Sequence, residues 1–132
     1  MKVVSGETAG FKLPSGREPS IYDLVKFCYD LSETDLEVLF KIVRKGEASI
    51  EELSDELGVS NATISRSLGK LIGMGFAKRR RSRTESGIGR PRYVYTADKE
   101  EIEKKLKTDI EFCSDVIKKV VTESFKGSII SG

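Results

Sequence analysis

SNATISRSLGKLIGMGFAKRRRSRTESGIGRPR, residues 60–92, decides how the rest of the chain reads. Ser60 suits a helix N-cap, because its hydroxyl oxygen can accept a backbone N–H of the first turn. Ile64, Leu68, Leu71 and Ile72 then recur at helical spacing, which predicts a helix over 60–72 with those four side chains turned inward. Gly73-Met74-Gly75 breaks it. Residues 76–83 read as a strongly basic strand, and 84–90 as a loop whose Gly87 and Gly89 permit unusual backbone angles. Residues 91–96 form the return strand, with strand-favouring Tyr93, Val94 and Tyr95. Strand, loop and strand make an antiparallel hairpin. Residues 60–92 hold nine Lys and Arg against one acid, a local charge of +8, whereas residues 1–59 carry −5 and residues 93–132 carry −1. The whole-chain value of +2 hides this polarity.

Upstream, capping signals mark three more helices. Ser20 opens one through IYDLVKFCYDL, with Ile21, Leu24, Val25, Cys28 and Leu31 on its apolar face. Ser32 opens the second, and Asp35 three residues on completes an approximate capping box. Leu36, Leu39, Phe40 and Val43 form its inward stripe, Lys41, Arg44 and Lys45 suit its C-terminal dipole, and Gly46 ends it. Residues 48–50 suggest a very short strand. Ser49 and Glu52 form a full capping box for a third helix, EELSDELG, with Leu53 and Leu57 inward. Residues 1–19 have no periodicity and read as an N-terminal arm.

Downstream, residues 98–125 contain neither Pro nor Gly and read as one long helix. Ile102, Leu106, Ile110, Cys113, Ile117 and Val120 fall close to a heptad seam, and Phe112, Val116 and Val121 widen it. A helix of this length, ~42 Å at the standard rise, outruns the core of a domain this size. The expected partner is the same helix of a second subunit, which makes those six seam residues the expected dimer interface. Residues 127–132 are expected to fray.

Composition excludes several classes. A chain of 132 residues with 38% hydrophobic and 33% charged residues suits one helix-rich domain. No apolar run nears the ~18 residues of a membrane span, and the N-terminus lacks a secretory apolar stretch, so the expected location is the cytoplasm. There is no histidine, and neither of the two cysteines lies in a CxxC. Zinc spacings and Ser-His-Asp or Cys-His catalysis are thereby removed, and no cofactor, metal or enzymatic activity is expected. Cys28 and Cys113 each lie on an apolar stripe. Free thiols packed as small apolar groups are expected rather than a disulfide framework, with a thiol switch as the competing reading.

The order helix, short strand, helix, turn, helix, hairpin is that of a winged helix-turn-helix: mainly α, with a small β-hairpin wing and a long C-terminal dimerisation helix. In this arrangement the second helix of the pair enters the major groove. At about 100° per residue, Ala62, Thr63, Arg66, Gly69 and Lys70 face away from the apolar side, with Asn61 and Ser65 at the flank. Small residues let a helix backbone approach a groove floor, while Asn, Arg and Thr can read base edges. Ser60 and Lys70 fit phosphates. Crowded like charges at Lys78, Arg79, Arg80, Arg81 and Arg83 repel one another unless a polyanion meets them. Arg90, with Arg83 and Arg92, can reach a minor groove, where Arg reads width. The competing functional reading is a winged-helix docking module for other proteins.

The run LSETDLEVLFKIVRKGEASIEELSDELGVSNATISRSLGKLIGMGFAKRRR, followed by GRPRYVYTA, resembles the archaeal winged-helix regulators of TrmB-like and MarR-like type. The resemblance spans residues 31–96 and implies a homodimeric, double-stranded-DNA-binding transcription regulator. It implies recognition residues Asn61, Thr63, Ser65, Arg66 and Lys70, and wing residues Arg83, Arg90 and Arg92. The domains expected are an arm at 1–19, a DNA-binding domain at 20–97, a dimerisation helix at 98–126 and a tail at 127–132. Full-length TrmB-type regulators add a sugar-binding domain that these 132 residues do not contain, so sugar sensing is not expected here. A long dimer helix leaves room for a small effector of the MarR kind, which no residue names.

Overall fold

The computed structural model describes residues 10–82 and 92–126. Five helices and a three-stranded sheet follow in the order α1 (Ile21–Tyr29), α2 (Glu33–Lys45), β1 (Glu47–Ala48), α3 (Ile50–Leu57), α4 (Asn61–Gly73), β2 (Lys78–Arg81), β3 (Tyr93–Thr96) and α5 (Lys99–Ser124). The fold is the winged helix with a long C-terminal helix that the element order predicts.

Local chemistry sets most boundaries. Ser32 Oγ accepts the Asp35 N–H at 3.0 Å and Asp35 Oδ2 accepts the Ser32 N–H at 2.9 Å. Ser49 and Glu52 do the same for α3, at 3.1 and 2.9 Å. Each box satisfies two helix-end donors reciprocally. α1 stops before the expected Leu31, because Asp30 takes a left-handed conformation (φ 58°). The Leu31 N–H then folds back to the Val25 carbonyl, and the Leu31 side chain is buried. Gly58, at φ 70°, makes the turn between α3 and α4, where a side chain would be strained. The short strand starts one residue and ends two residues earlier than expected, at Glu47–Ala48, since Ile50 already belongs to α3.

The sheet order is β1-β3-β2, antiparallel throughout. β2 is shorter than the expected 76–83, because Phe76 and Ala77 are drawn into the core before pairing starts at Lys78↔Thr96. β1 closes the other edge through Glu47↔Thr96 and Ala48↔Tyr95.

α2 lies at the centre. Leu36, Val38, Leu39 and Ile42 are all buried, a wider stripe than the one expected, and Phe40 and Val43 pack at its margin. Leu53 of α3, Ile64, Leu68 and Leu71 of α4, Val25 of α1 and Ile102 of α5 converge on it.

One expectation fails on the cysteines. Cys28 and Cys113 are not free packed thiols: they form a disulfide tying α1 to the middle of α5, with Cα atoms 5.9 Å apart. Their separation of 85 residues hides the pairing from any local pattern. Beside it, the Tyr29 hydroxyl donates to Asp109 Oδ2 at 2.5 Å, and Lys105 Nζ lies 3.1 Å from the same oxygen. Burial pushes the Tyr29 hydroxyl well above its ordinary range, with the Asp109 carboxylate adding to it. The Tyr29 hydrogen bond first, and Lys105 second, hold Asp109 below the usual carboxylate range. The Tyr29 ring meets Phe76 edge-on at 5.0 Å, so α1, α5 and the base of the wing share one junction.

Candidate nucleic-acid interface

α4 buries Ile64, Ser67, Leu68 and Leu71. Ile72, expected inside, is 37% exposed, and Ser67 is buried instead. The helix is thus rolled about its axis toward Ser67, which brings the exposed Lys70 within reach of α2. Its ammonium sits 2.6 Å from Asp35 Oδ2. Asp35 is only 2% exposed, and Ser67 Oγ donates to its other oxygen at 2.5 Å. Burial by itself raises this carboxyl; the hydrogen bonds from Lys70, Ser67 and Ser32 outweigh it and hold Asp35 below its ordinary value. Sequence reasoning used Asp35 only as a cap. Its role against α4 leaves no periodic trace, and a buried acid facing a cation across 35 residues of chain is legible only in three dimensions.

The outer face of α4 is otherwise as read. Asn61, Ala62, Ser65, Arg66 and Gly69 are exposed, and Thr63 is half-buried. Ser60 Oγ accepts the Thr63 N–H at 3.1 Å and bonds Thr63 Oγ1 at 3.0 Å. Arg66 Nη2 reaches the same Thr63 oxygen at 3.4 Å. Ser60, Thr63 and Arg66 therefore form a connected polar ridge along the first turns of α4, since residues three apart are neighbours on a helix. A Cβ placed on Gly69 meets nothing within 4 Å, so the chain's own packing does not require a glycine there.

All four residues of β2, Lys78, Arg79, Arg80 and Arg81, are exposed. Strand alternation divides them between two faces. Arg79 and Arg81 pair opposite Tyr95 and Tyr93, and Lys78 and Arg80 opposite Thr96 and Val94. On the first face the Arg79 guanidinium lies 4.3 Å from the centre of the Tyr93 ring, a cation–π contact. On the second, Arg80 is ion-paired with Glu47 of β1. Arg92 is exposed and its carbonyl accepts the Ser82 N–H at 2.8 Å. Arg83 and Arg90 lie outside the described residues, as does the whole of the expected wing loop, residues 84–90.

The seam residues of α5 divide. Ile102 is in the core, Leu106 packs against it, and Cys113 is bonded to Cys28. Ile110, Ile117 and Val120 remain open to solvent, with Phe112, Val116, Val121 and Phe125 beside them. An apolar groove of about 540 Å³ runs between α1, α2 and the first half of α5, past Leu24, Phe40 and Leu106. Among the described residues no group of His, Cys, Asp and Glu is placed to hold a metal ion, and no helix is long and apolar enough to cross a membrane.

A helix-turn-helix with a polar second helix and a basic wing defines a DNA-binding transcriptional regulator of the winged-helix class. Residues 24–101, more than half the chain, match the family model described as the sugar-specific transcriptional regulator TrmB, and the chain belongs to that family. Solved structures share the fold. The ST1889 protein of the thermoacidophilic archaeon Sulfolobus tokodaii is 28% identical, with a TM-score of 0.64 over 76% of this chain and 93% of that one. A possible transcriptional regulator from Methanosarcina mazei Go1 is 21% identical, with a TM-score of 0.68 over 86% and 94%. FabT of Streptococcus pneumoniae, solved in complex with DNA, shares the fold at 18% identity, with a TM-score of 0.50 over 77% and 71%.

Proposed function

We propose that the protein is a cytoplasmic, sequence-specific regulator that binds duplex DNA as a homodimer. α4 enters the major groove, and the basic strand β2 and its hairpin lie along the phosphate backbone. The observation that carries this reading is the outer face of α4: Asn61, Ser65 and Arg66 exposed around Ala62 and Gly69. Small residues permit close approach, and the polar ones supply base-edge donors and acceptors. The exposed cations of β2 supply salt-sensitive affinity. The open apolar side chains of α5 beyond Ile110 suit a second copy, because contiguous exposed apolar surface is uncommon on a monomer. Two copies related by a two-fold axis read an inverted repeat with half-sites about 10 bp apart, or a multiple of that.

Selection of bound genomic fragments at physiological salt tests this directly. The expected product is a palindromic site; fragments enriched without common sequence or symmetry would remove the specific, dimeric reading. Gly69→Ala gives a second test. A mid-helix glycine costs up to ~1 kcal/mol relative to alanine. The variant should therefore melt higher, yet lose about tenfold in affinity for the selected site if the backbone meets the groove there.

A further inference from the structure

The outer side of α4 carries two cations, Arg66 and Lys70, and only Lys70 is committed to a buried partner. Asp35 receives three groups at once: its own cap N–H from Ser32, the Ser67 hydroxyl and the Lys70 ammonium. A buried carboxylate is costly unless a counter-charge and hydrogen bonds satisfy it, and removing one partner leaves the penalty uncompensated. Ser67 and Lys70 stand three residues apart on α4, so one carboxylate holds two successive points along a single ridge of the helix. Apolar packing through Ile64, Leu68 and Leu71 is non-directional and resists separation better than rotation. Two directional bonds to one fixed oxygen pair resist both roll about the helix axis and sliding along it. The fixed end is itself rigid, since Asp35 is the third helical residue of α2 and closes that helix's capping box.

We propose that Asp35, Ser67 and Lys70 form the device that positions the recognition helix, and that Lys70 serves the buried carboxylate rather than a DNA phosphate. This rests on the reading that α4 enters the groove, and deepens it by separating the residues that touch DNA from those that aim them. Lys70 is a positioning residue; Arg66, on the same face without that partner, is the one left to read a base.

The test compares Lys70→Met, Asp35→Asn/Lys70→Met and Ser67→Ala with wild type, on the selected site and on unrelated duplex, across a salt series. Lys70→Met should lose about tenfold or more on the selected site, as expected for a stranded buried charge. It should keep its affinity for unrelated duplex and its salt slope. The double variant, which removes charge and partner together, should recover most of the loss, and Ser67→Ala should show a smaller loss of the same kind. A phosphate contact predicts the opposite: a slope lower by about 0.9 per protomer, or about 1.8 for the dimer, equal losses on both DNAs and no recovery in the double variant. That pattern would overturn the proposal. Amide exchange of α4 without DNA reads the pinning by itself. Faster exchange over residues 64–71 in Lys70→Met, restored in the double variant, supports it, and unchanged exchange rejects it. If wild type bound no duplex at low salt, only the groove reading would fall, and exchange would still decide whether Asp35 holds the helix.

Discussion

The two halves of α5 share one periodicity and have opposite surroundings. In the first half, Ile102 is 7% exposed and Leu106 packs on the core, with Tyr29 and Cys28 of α1 fastened to Asp109 and Cys113. In the second half the stripe continues through Val116, Ile117, Val120 and Val121, all left exposed by the described residues, and Phe125 is 79% exposed. Apolar spacing states only that a helix has a face to bury. Whether that face is covered by the same chain or left open depends on where the other helices end. At 26 residues, α5 is about 39 Å long, and α1 and α2 run out before it does.

Substitutions on either side of Cys113 test the contrast. The largest effect is expected from Ile117→Asp with Val120→Asp. Sedimentation should show dimer giving way to monomer, and affinity for a two-half-site DNA should fall by a hundredfold or more, as a dimer interface of obligate kind requires. The melting of the monomer itself should barely change; a dimer that survives both charges would show that the second half of α5 is not the interface. Ile102→Ala should do the reverse, costing about 2–4 kcal/mol of stability in chemical denaturation. Next comes Cys113→Ser. A cross-link closing a loop of this size stabilises by about 2–4 kcal/mol, chiefly by restricting the unfolded chain. The same shift should appear in wild type on adding a dithiol reductant and be absent from the variant. DNA binding that fell on oxidation instead would restore the thiol-switch reading of the two cysteines.

The smallest effect is expected at Tyr29→Phe, about 1 kcal/mol for the lost hydrogen bond to Asp109. Its pH dependence has a definite sign. Asp109 is depressed below its ordinary 3.8 by Tyr29 and then Lys105. The stability it contributes is complete above that ordinary value and is lost as pH falls through the lowered one. The difference between wild type and Tyr29→Phe should accordingly persist at neutral pH and shrink in strong acid; a difference that grew on acidification would contradict the assignment.

Helices and their caps were legible in the sequence because their causes are local. Ser32 with Asp35 and Ser49 with Glu52 act within one turn, and the glycines at 46 and 58 close helices beside them. The candidate reading face of α4 was largely legible for the same reason, since its exposed residues follow from where Ile64, Leu68 and Leu71 point. That reasoning did not find the Asp35 partner of Lys70. Counting Ile72 among the inward residues set the helix roll too far from Ser67, and a polar residue in the core gives no apolar signal to correct it. Arg80 was read as a bare cation because Glu47, its partner, reaches it only through the pairing of β1 and β2 on either side of β3.

By itself the sequence determined a winged helix-turn-helix with a basic hairpin, and the concentration of charge in residues 60–92, because periodicity, capping and composition act over short distances. Only the tertiary structure decided how that charge is employed. Lys70 is ion-paired with a buried acid, Arg79 is laid on Tyr93 and Arg80 is paired with Glu47, while Arg66 and the polar ridge face out. The physical reason is the same in each case. A charge is steered by the nearest opposite charge or aromatic face in space, and the partners of Lys70 and Arg80 lie more than thirty residues away along the chain.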